Sequence, residues 1–149
     1  MKREPDLETR ERLIQAASVL FAEHGFKKVT VREICRASRA NVAAVNYHFR
    51  DKAGLYREVV QMAINEMRQT NELSQHAGEG STPEDQIRAF VRIFVQRLKG
   101  GGPHSWIHKL MAHEMQEPSE AMDLVVKQVV LPRFDYLSEI GRASCRERV

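Results

Sequence analysis

A short segment, residues 41–48, carries side chains that could recognise the edges of DNA bases. The amide of Asn46 can pair with adenine through two hydrogen bonds, and alanine or valine methyl groups can contact the methyl group of thymine. Ala43 and Ala44 are small, so a helix formed by this segment could approach the bases closely. The residue types therefore permit readout of a DNA sequence in the major groove.

A second set of side chains near this segment is suited to phosphate oxygens. Tyr47, His48 and Lys52 could hydrogen-bond the DNA backbone, where contacts fix the position of a protein without reading the sequence. The amides at the start of a helix also bind phosphate, so a helix that begins at Thr30 could hold the backbone as well.

The charge distribution agrees with a polyanionic partner at one place. The 149 residues carry 23 basic and 20 acidic side chains, yet residues 27–52 alone contain seven basic residues and two acidic ones. A local basic patch in a nearly neutral chain indicates nucleic-acid binding. A solvated charged face is the alternative, and charge alone favours that alternative slightly.

Composition restricts the class of protein. The chain is 42% hydrophobic and 29% charged, as in ordinary globular proteins, and its length suits one domain or two helical modules that share a long helix. The apolar runs are too short to cross a bilayer, and the N-terminus lacks the apolar region of a secretory signal. Two cysteines make neither a disulfide framework nor a four-ligand metal site. We therefore expect a cytoplasmic protein without a metal or cofactor.

Three helices are predicted in the first 49 residues. Apolar residues at helical spacing indicate a helix over residues 7–26, with Asp6, Glu8 or Thr9 as candidates for its start and Gly25 as its left-handed end. Thr30 and Glu33 have the spacing of a capping box that opens a helix of two turns. After a break at residues 38–40, a third helix follows over 41–49. Two short helices separated by three residues suggest a helix-turn-helix unit.

The rest of the chain also has helical spacing, which predicts an all-α fold. Asp51 can cap a long helix that ends near residue 75. Further helices are predicted from Pro83 to Leu98, over residues 105–116 and over residues 122–130, and Pro132 is expected to kink or end the last of them. We expect the helix after Pro83 to bury its apolar residues, which are Ile87, Phe90, Val91, Phe94, Val95 and Leu98.

The segment Arg10–Leu55 resembles the N-terminal domain of the TetR family of transcriptional repressors. The residues that carry this resemblance are Ile14, Ala17, Phe21, Gly25 and Phe26, then Thr30-Val31-Arg32-Glu33-Ile34, then Val45-Asn46-Tyr47-His48-Phe49, Asp51, Lys52 and Leu55. The resemblance implies a three-helix DNA-binding domain joined by a long helix to a helical domain for ligand binding and dimerisation.

The resemblance also implies roles for individual residues. Thr30 and Arg32 would touch DNA from the second helix, and His48 and Lys52 would hold phosphates. The reading face would consist of Asn41, Val42, Ala43, Ala44 and Asn46. Arg39 stands where the family usually has glycine in the turn. We expect the turn to relax there; the alternative is a strained Arg39 that contacts phosphate.

The second half is similar, less specifically, to one TetR subgroup. Family members bind a small molecule among their C-terminal helices, which releases DNA, and they dimerise through two further helices. The resemblance therefore implies a pseudo-palindromic operator, a small-molecule effector and a homodimer. The effector pocket is predicted among Phe90, Phe94, Trp106, Leu110 and His113.

The predicted organisation has four parts. Residues 1–54 form the DNA-binding domain, residues 55–75 the connecting helix and residues 76–140 a partial effector-binding domain. Residues 141–149 are arginine-rich and do not continue the helical pattern, so we interpret them as a foreign tail on a chain truncated near Ile140. A genuine basic tail is the alternative. Truncation would impair dimerisation and effector binding.

Two other classes of function remain open from the sequence. His104 and His108 lie four residues apart, with His113 and Glu114 nearby, which permits a zinc site and a metal-dependent enzyme. Pocket-lining or surface histidines are the more frequent explanation of such a pattern. A helical interaction module that does not bind DNA is the other alternative. The leading hypothesis is a DNA-binding regulator, most simply a repressor, and not an enzyme.

Overall fold

The computed structural model describes residues 4–76, 82–99 and 105–147, and every regular element in these ranges is helical. The predicted all-α class is therefore confirmed for the described part of the chain. The helices are α1 (Glu4–His24), α2 (Val31–Ser38), α3 (Val42–Phe49), α4 (Lys52–His76), α5 (Pro83–Leu98), α6 (Ser105–Gln116), α7 (Met122–Val125), a π-helical segment (Val126–Val130) and α8 (Leu131–Glu147).

One continuous core joins the two halves of the molecule. Helices α1 to α4 contribute most of it, and α6 and α7 close it from the other side. Aromatic rings occupy its centre: Phe21 meets Tyr56 edge to face with centroids 4.9 Å apart, and Phe26 lies 4.8 Å from the same ring. The main buried residues of this core are Leu13, Ala17, Phe21, Ile34, Val45, Leu55, Val59, Ile64, Ile107 and Leu110.

Helix α1 ends as predicted but begins earlier. Gly25 has φ of +79°, and its amide donates to the carbonyl of Phe21 at 2.9 Å, so the expected left-handed end is confirmed. The helix already includes Glu4, which places Asp6 and the other two candidate caps inside it. Proline is tolerated in the first turn of a helix, so Pro5 does not interrupt it.

Helix α2 begins with the predicted capping box. The amide of Glu33 donates to the hydroxyl of Thr30 at 3.3 Å, and the amide of Thr30 donates to the carboxylate of Glu33 at 2.7 Å. These hydrogen bonds from Thr30 hold the pKa of the Glu33 carboxyl below its usual value. The cap fixes the direction in which α2 leaves the preceding loop.

The turn after α2 does not relax as we expected. Arg39 adopts φ of +54° and ψ of +39°, the left-handed region, and its amide donates to the carbonyl of Arg36 at 3.4 Å. The next amide, that of Ala40, donates to the carbonyl of Cys35 at 3.0 Å. These two hydrogen bonds close the end of α2, so the geometry of the turn is kept although a side chain replaces glycine.

Of the six apolar residues expected to be buried on α5, the side chain of Leu98 lies outside the described part of the chain and none of the other five is buried, which contradicts the sequence-based expectation. Val91 is 49% exposed and Phe94 is 44% exposed, and Ile87 and Val95 are exposed as well. Helix α5 packs against α8 and, less extensively, against α4. In the described part of the chain these contacts cover only one side of the helix, so the remaining apolar side chains face outward.

The last helical region continues through a π-helical turn rather than ending. The amide of Leu131 donates to the carbonyl of Val126, five residues earlier, directly before Pro132. The wider turn accommodates a residue that has no amide to donate. Helix α8 then continues to Glu147, past the end predicted near Ile140. One glycine, Gly141, costs a helix only about 1 kcal/mol, which is too little to stop it. The foreign origin of residues 141–149 stays a prediction.

Candidate nucleic-acid interface

Helix α3 is anchored by one face and presents the other to solvent. Val45 and Phe49 lie one turn apart in the core, as predicted, with 0% and 6% of their surface exposed. Tyr47 on the opposite face is 72% exposed, and the remaining outward residues are Asn41, Val42, Ala43 and Asn46. The helix therefore offers a short, mixed polar and methyl-bearing surface, with side chains suited to base edges.

The start of α3 is fixed by one of its predicted reading residues. Asn41 is the N-cap, and its side-chain oxygen accepts a hydrogen bond from the amide of Ala44 at 2.8 Å. Ala44 itself is half-buried and packs against the core, in contrast to Ala43, which faces outward. Four of the five residues predicted to read DNA are therefore exposed. The fifth, Ala44, packs against the core on the inner side of α3.

The two predicted contact residues of α2 are exposed beside α3. Thr30 and Arg32 lie at the beginning of α2, on the outside of the bundle. The hydroxyl of Thr30 is already engaged, because it donates to Glu33 at 2.7 Å as part of the capping box. Arg32 has the longer reach and carries the positive charge.

Lys52 lies at the start of α4, with its ammonium group turned toward the protein. The group donates to the carbonyls of Phe26 and Val29 at 2.9 and 3.1 Å, and it lies 4.3 Å from the centre of the Phe26 ring. These contacts tie the loop between α1 and α2 to the α3–α4 junction. The predicted contact of Lys52 with a phosphate stays a prediction.

His48 is enclosed between α3 and α1. Its side chain is 4% exposed, and its Nε2 atom lies 3.2 Å from a carboxylate oxygen of Asp6. The sequence suggested only a phosphate contact for this histidine, and Asp6 was considered only as a helix cap. The structure adds the close contact between the two side chains, which no local sequence pattern signals because 42 positions separate them.

The junction between α3 and α4 is unusually close. The carboxylate of Asp51 accepts a hydrogen bond from the amide of Gly54 at 2.8 Å, which confirms the predicted cap of α4. A Cβ atom on Gly54 would lie 2.0 Å from the carbonyl oxygen of Phe49. The end of α3 therefore rests directly on the backbone of α4, and the two helices cannot move independently at this point.

Helix α4 is connected to the C-terminal half by buried and exposed polar contacts. Glu114 of α6 is 1% exposed and accepts a hydrogen bond from the hydroxyl of Tyr56 at 2.6 Å. Arg57 pairs with both carboxylate oxygens of Asp123, at 3.2 and 3.3 Å. The hydrogen bonds from this guanidinium hold the pKa of Asp123 below its usual value.

A further contact joins α4 to the π-helical segment. The side-chain amides of Gln61 and Gln128 exchange two hydrogen bonds, at 2.9 and 3.0 Å. Sequence reasoning missed this pair. It also missed the pairing of Arg57 and the role of Glu114, which it considered only as a neighbour of a zinc site. Polar residues on amphipathic helices give no sign of such distant partners.

A cleft of about 680 Å³ lies between the N-terminal half and the end of α6. Phe26, Lys27 and Arg57 line it from one side, and His113 and Glu117 from the other. Of the five residues predicted for the effector pocket, His113 alone lines this cleft. Leu110 is buried in the core with Trp106 packed against it, whereas Phe90 stacks on Phe94 of the same helix and contacts Tyr136 of α8.

Metal ligands do not assemble in the described residues. No group of three or more histidine, cysteine, aspartate or glutamate side chains there could hold an ion. His104, one of the candidate zinc ligands, lies outside the described residues. Cys35 is buried, which raises the pKa of its thiol. Within the same ranges, no helix is long and apolar enough to span a bilayer.

Two family models match the chain. The model described as "Bacterial regulatory proteins, tetR family" matches residues 13–59, which include the whole of α2 and α3. The model described as "HTH-type transcriptional dual regulator CecR, C-terminal domain" matches residues 83–148.

Curated proteins similar to the chain are described as transcriptional regulators. A probable HTH-type transcriptional regulator, YttP of Bacillus subtilis (strain 168), is 38% identical over 52 residues, which are 35% of this chain and 25% of that protein. The probable acrEF/envCD operon repressor of Escherichia coli (strain K12) is 27% identical over 120 residues, covering 78% and 52% of the two chains. The dual regulator CecR of Shigella flexneri is 27% identical over 144 residues, covering 89% and 63%. The chain thus spans between a quarter and 63% of the length of these relatives.

A solved structure shares the fold. The crystal structure of HlyIIR, a hemolysin II transcriptional regulator, superposes with a TM-score of 0.65 at 23% sequence identity. The match covers 97% of this chain and 76% of the other. The arrangement of a helix-turn-helix unit followed by a helical C-terminal region is therefore common to the two proteins.

Proposed function

Because the chain belongs to the TetR family of bacterial transcriptional regulators, we propose that it is a sequence-specific DNA-binding regulator with α3 as its reading helix. The simplest form of this function is a repressor that a small molecule releases from its operator. We propose residues 1–54 as the DNA-binding domain, residues 55–75 as the connecting helix and residues 76–140 as part of the effector domain. Its site of action is the cytoplasm, where bacterial DNA lies.

The observation that carries this proposal is the division of α3 into two faces. Buried Val45 and Phe49 hold the helix against the bundle and set its depth, so the opposite face of α3 stays exposed. A major groove about 12 Å wide admits one helix, and the outward surface of α3 has no bulky side chain except Tyr47. Basic residues near this surface supply attraction to the phosphates.

Each exposed residue has a distinct proposed role. Asn46 pairs with a base, and the methyl groups of Val42 and Ala43 contact thymine. Tyr47 and Arg32 hold phosphates at the sides of the groove and set the register. Contacts from Thr30, Asn41, His48 and Lys52 complete the proposed interface, although the last two also bind within the protein.

A homodimer on a pseudo-palindromic operator follows from the same proposal. Two copies of α3 would enter successive major grooves, about 34–36 Å apart. The exposed apolar residues offer a surface for the partner subunit, since large patches of this kind are typical of interfaces. They lie on α5 and on the region from the π-helical segment through α8, and include Val91, Val130, Leu131, Phe134 and Leu137.

The effector is proposed to act through α4. Tyr56, Arg57 and Gln61 connect this helix to the C-terminal half, and Gly54 transmits any displacement to α3 by close backbone contact. A ligand that favours a different position of α4 would change the spacing of the two reading helices and lower the affinity for DNA. We propose that Phe90, Phe94, Trp106, Leu110 and His113 surround the effector region.

Fluorescence anisotropy tests the proposal directly. The probes are a duplex from the region upstream of the gene for this chain and a scrambled duplex of equal composition, each at two salt concentrations. We expect preference for the upstream duplex and an affinity that falls steeply as salt rises. Weak and equal binding to both duplexes would argue against specific readout. No binding by the folded chain would favour an interaction module instead.

A further inference from the structure

Asp6 places a negative charge beside the proposed DNA-binding surface. The residue lies in the first turns of α1, and it lines a shallow cleft together with Asn41, Ala43 and Tyr47 of the reading-helix region. The side chain is 25% exposed. A carboxylate in this position repels phosphates, so it weakens binding unless it contributes something else.

The contacts that α1 makes with the last turn of α3 show what Asp6 contributes. Asp6 lies 3.2 Å from Nε2 of His48, whose side chain is almost fully buried. One turn further along α1, the guanidinium of Arg10 lies 5.3 Å from the centre of the Phe49 ring and pairs with Glu58 at 2.6 Å. Residues four apart share one face of a helix, so this face of α1 holds two consecutive residues of α3.

The contacts that Asp6 and Arg10 make with α3 fix the rotation of α3 about its own axis, which the buried core residues alone leave less defined. Val45 and Phe49 fix the depth of α3 in the bundle, but rotation about the axis of a helix of eight residues alters the direction of every exposed side chain. His48 is on the flank of α3, between the buried face and the outward face. The close contact of His48 with Asp6 at this flank opposes rotation and so keeps the reading residues in one direction.

We propose that Asp6 is a positioning residue for DNA recognition, acting through His48. The inference rests on the proposed function, because it assigns a residue that serves the reading of DNA. The family resemblance suggests that His48 contacts a phosphate. In this proposal the imidazole of His48 instead contacts Asp6 of α1 inside the protein. The charge of Asp6 weakens DNA binding in general and improves discrimination between sequences.

The test uses Asp6→Asn with Glu8→Gln as the matched control. Both changes remove one negative charge from the first turns of α1, and Glu8 is exposed, with Arg12 as its ionic neighbour. We expect Asp6→Asn to reduce the affinity for the upstream duplex about fivefold relative to the scrambled duplex, and Glu8→Gln to leave this ratio unchanged. His48→Gln should reduce the ratio of the two affinities by a similar factor. The double variant should have a ratio no lower than that of either single variant, because both substitutions remove the same contact.

The opposite results would overturn the inference. If Asp6 only repels DNA, Asp6→Asn binds both duplexes more tightly, as Glu8→Gln does. If the residue serves stability alone, Asp6→Asn lowers the urea midpoint and both affinities fall together. If the two single effects add in the double variant, Asp6 does not act through His48.

Amide hydrogen exchange on the free protein separates this inference from the proposed function. Equal binding of the unsubstituted chain to the two duplexes would count against the proposed function. In that case, faster exchange at residues 42–49 in Asp6→Asn than in Glu8→Gln still supports the positioning of α3 by Asp6, and equal exchange in the two variants refutes it.

Discussion

The hydroxyl of Tyr56 donates a hydrogen bond of 2.6 Å to the buried carboxylate of Glu114, and this contact joins the N-terminal half to the C-terminal half. The second carboxylate oxygen accepts hydrogen bonds from the amide and the hydroxyl of Ser119, at 2.8 and 2.9 Å. Because Glu114 is 1% exposed, these three donors satisfy it inside the protein. The carboxylate therefore fixes α4, α6 and the turn after α6 relative to one another.

Replacing Tyr56 with phenylalanine should destabilise the protein. The change removes one donor from a buried carboxylate while the ring contacts remain, so we expect a loss of about 1–3 kcal/mol in the free energy of unfolding. Urea denaturation measures it. Tyr136→Phe is the matched control, because Tyr136 is half-buried and contacts an aromatic ring, that of Phe90. If the two substitutions lower the free energy of unfolding equally, the hydrogen bond from Tyr56 to Glu114 does not itself stabilise the protein.

The same bond predicts a dependence on alkaline pH. Burial, and then the hydrogen bond to Glu114 and its charge, raise the pKa of Tyr56 above its ordinary value near 10. The unfolded chain loses this proton at lower pH than the folded protein, so the stabilising contribution is complete below pH 10 and decreases as the pH rises beyond it. The difference between the urea midpoints of the unsubstituted protein and Tyr56→Phe should therefore narrow from about pH 10 to about pH 11. A constant difference across this range would contradict the assignment.

The local features of the N-terminal half could be predicted from the sequence. The capping box at Thr30, the left-handed Gly25 and the buried pair Val45 and Phe49 each depend on residues within a few positions of one another. Local hydrogen bonds and helical spacing determine such features. The family resemblance, confirmed by the matching family models, covers the same region.

Features that depend on distant residues could not be predicted. Asp6 and His48, like Tyr56 and Glu114, meet only after the helices have packed, and no periodicity relates their positions. The exposure of Phe94 was mispredicted because an amphipathic pattern shows which face of a helix is apolar but not what covers that face. Arg39 was mispredicted because two hydrogen bonds at the end of α2 outweigh a strain of about 1 kcal/mol.

Gly54 should not tolerate a side chain. In Gly54→Ala the new Cβ atom would lie 2.0 Å from the backbone oxygen of Phe49, so the end of α3 must move away from α4. We expect destabilisation of several kcal/mol, as for other steric clashes in a core, and weaker binding to the upstream duplex. Thermal unfolding and anisotropy measure the two effects. Gly141→Ala is the control within a helix, where a Cβ meets nothing within 4 Å, and it should stabilise the protein slightly.

Arg39→Gly should stabilise the protein. Arg39 is held at φ of +54°, where a side chain costs about 1 kcal/mol and glycine costs little, so the midpoint of thermal unfolding should rise. Arg39→Ala removes the same charge and keeps the strain, which makes it the control. A rise of similar size in both variants would mean that charge, not the backbone, limits stability at this turn.

Asn46→Ala should change the preferred DNA sequence rather than the overall affinity. The amide is exposed on the outward face of α3, and a bidentate contact with one base discriminates by about 1–3 kcal/mol. Binding to a set of upstream duplexes, each with one altered base pair, would therefore show lost discrimination at a single position. Tyr47→Ala is the comparison on the same face, and it should weaken binding to all duplexes alike because a phosphate contact carries no sequence information. If Asn46→Ala keeps the full preference of the unsubstituted chain, a different face of α3 reads the DNA.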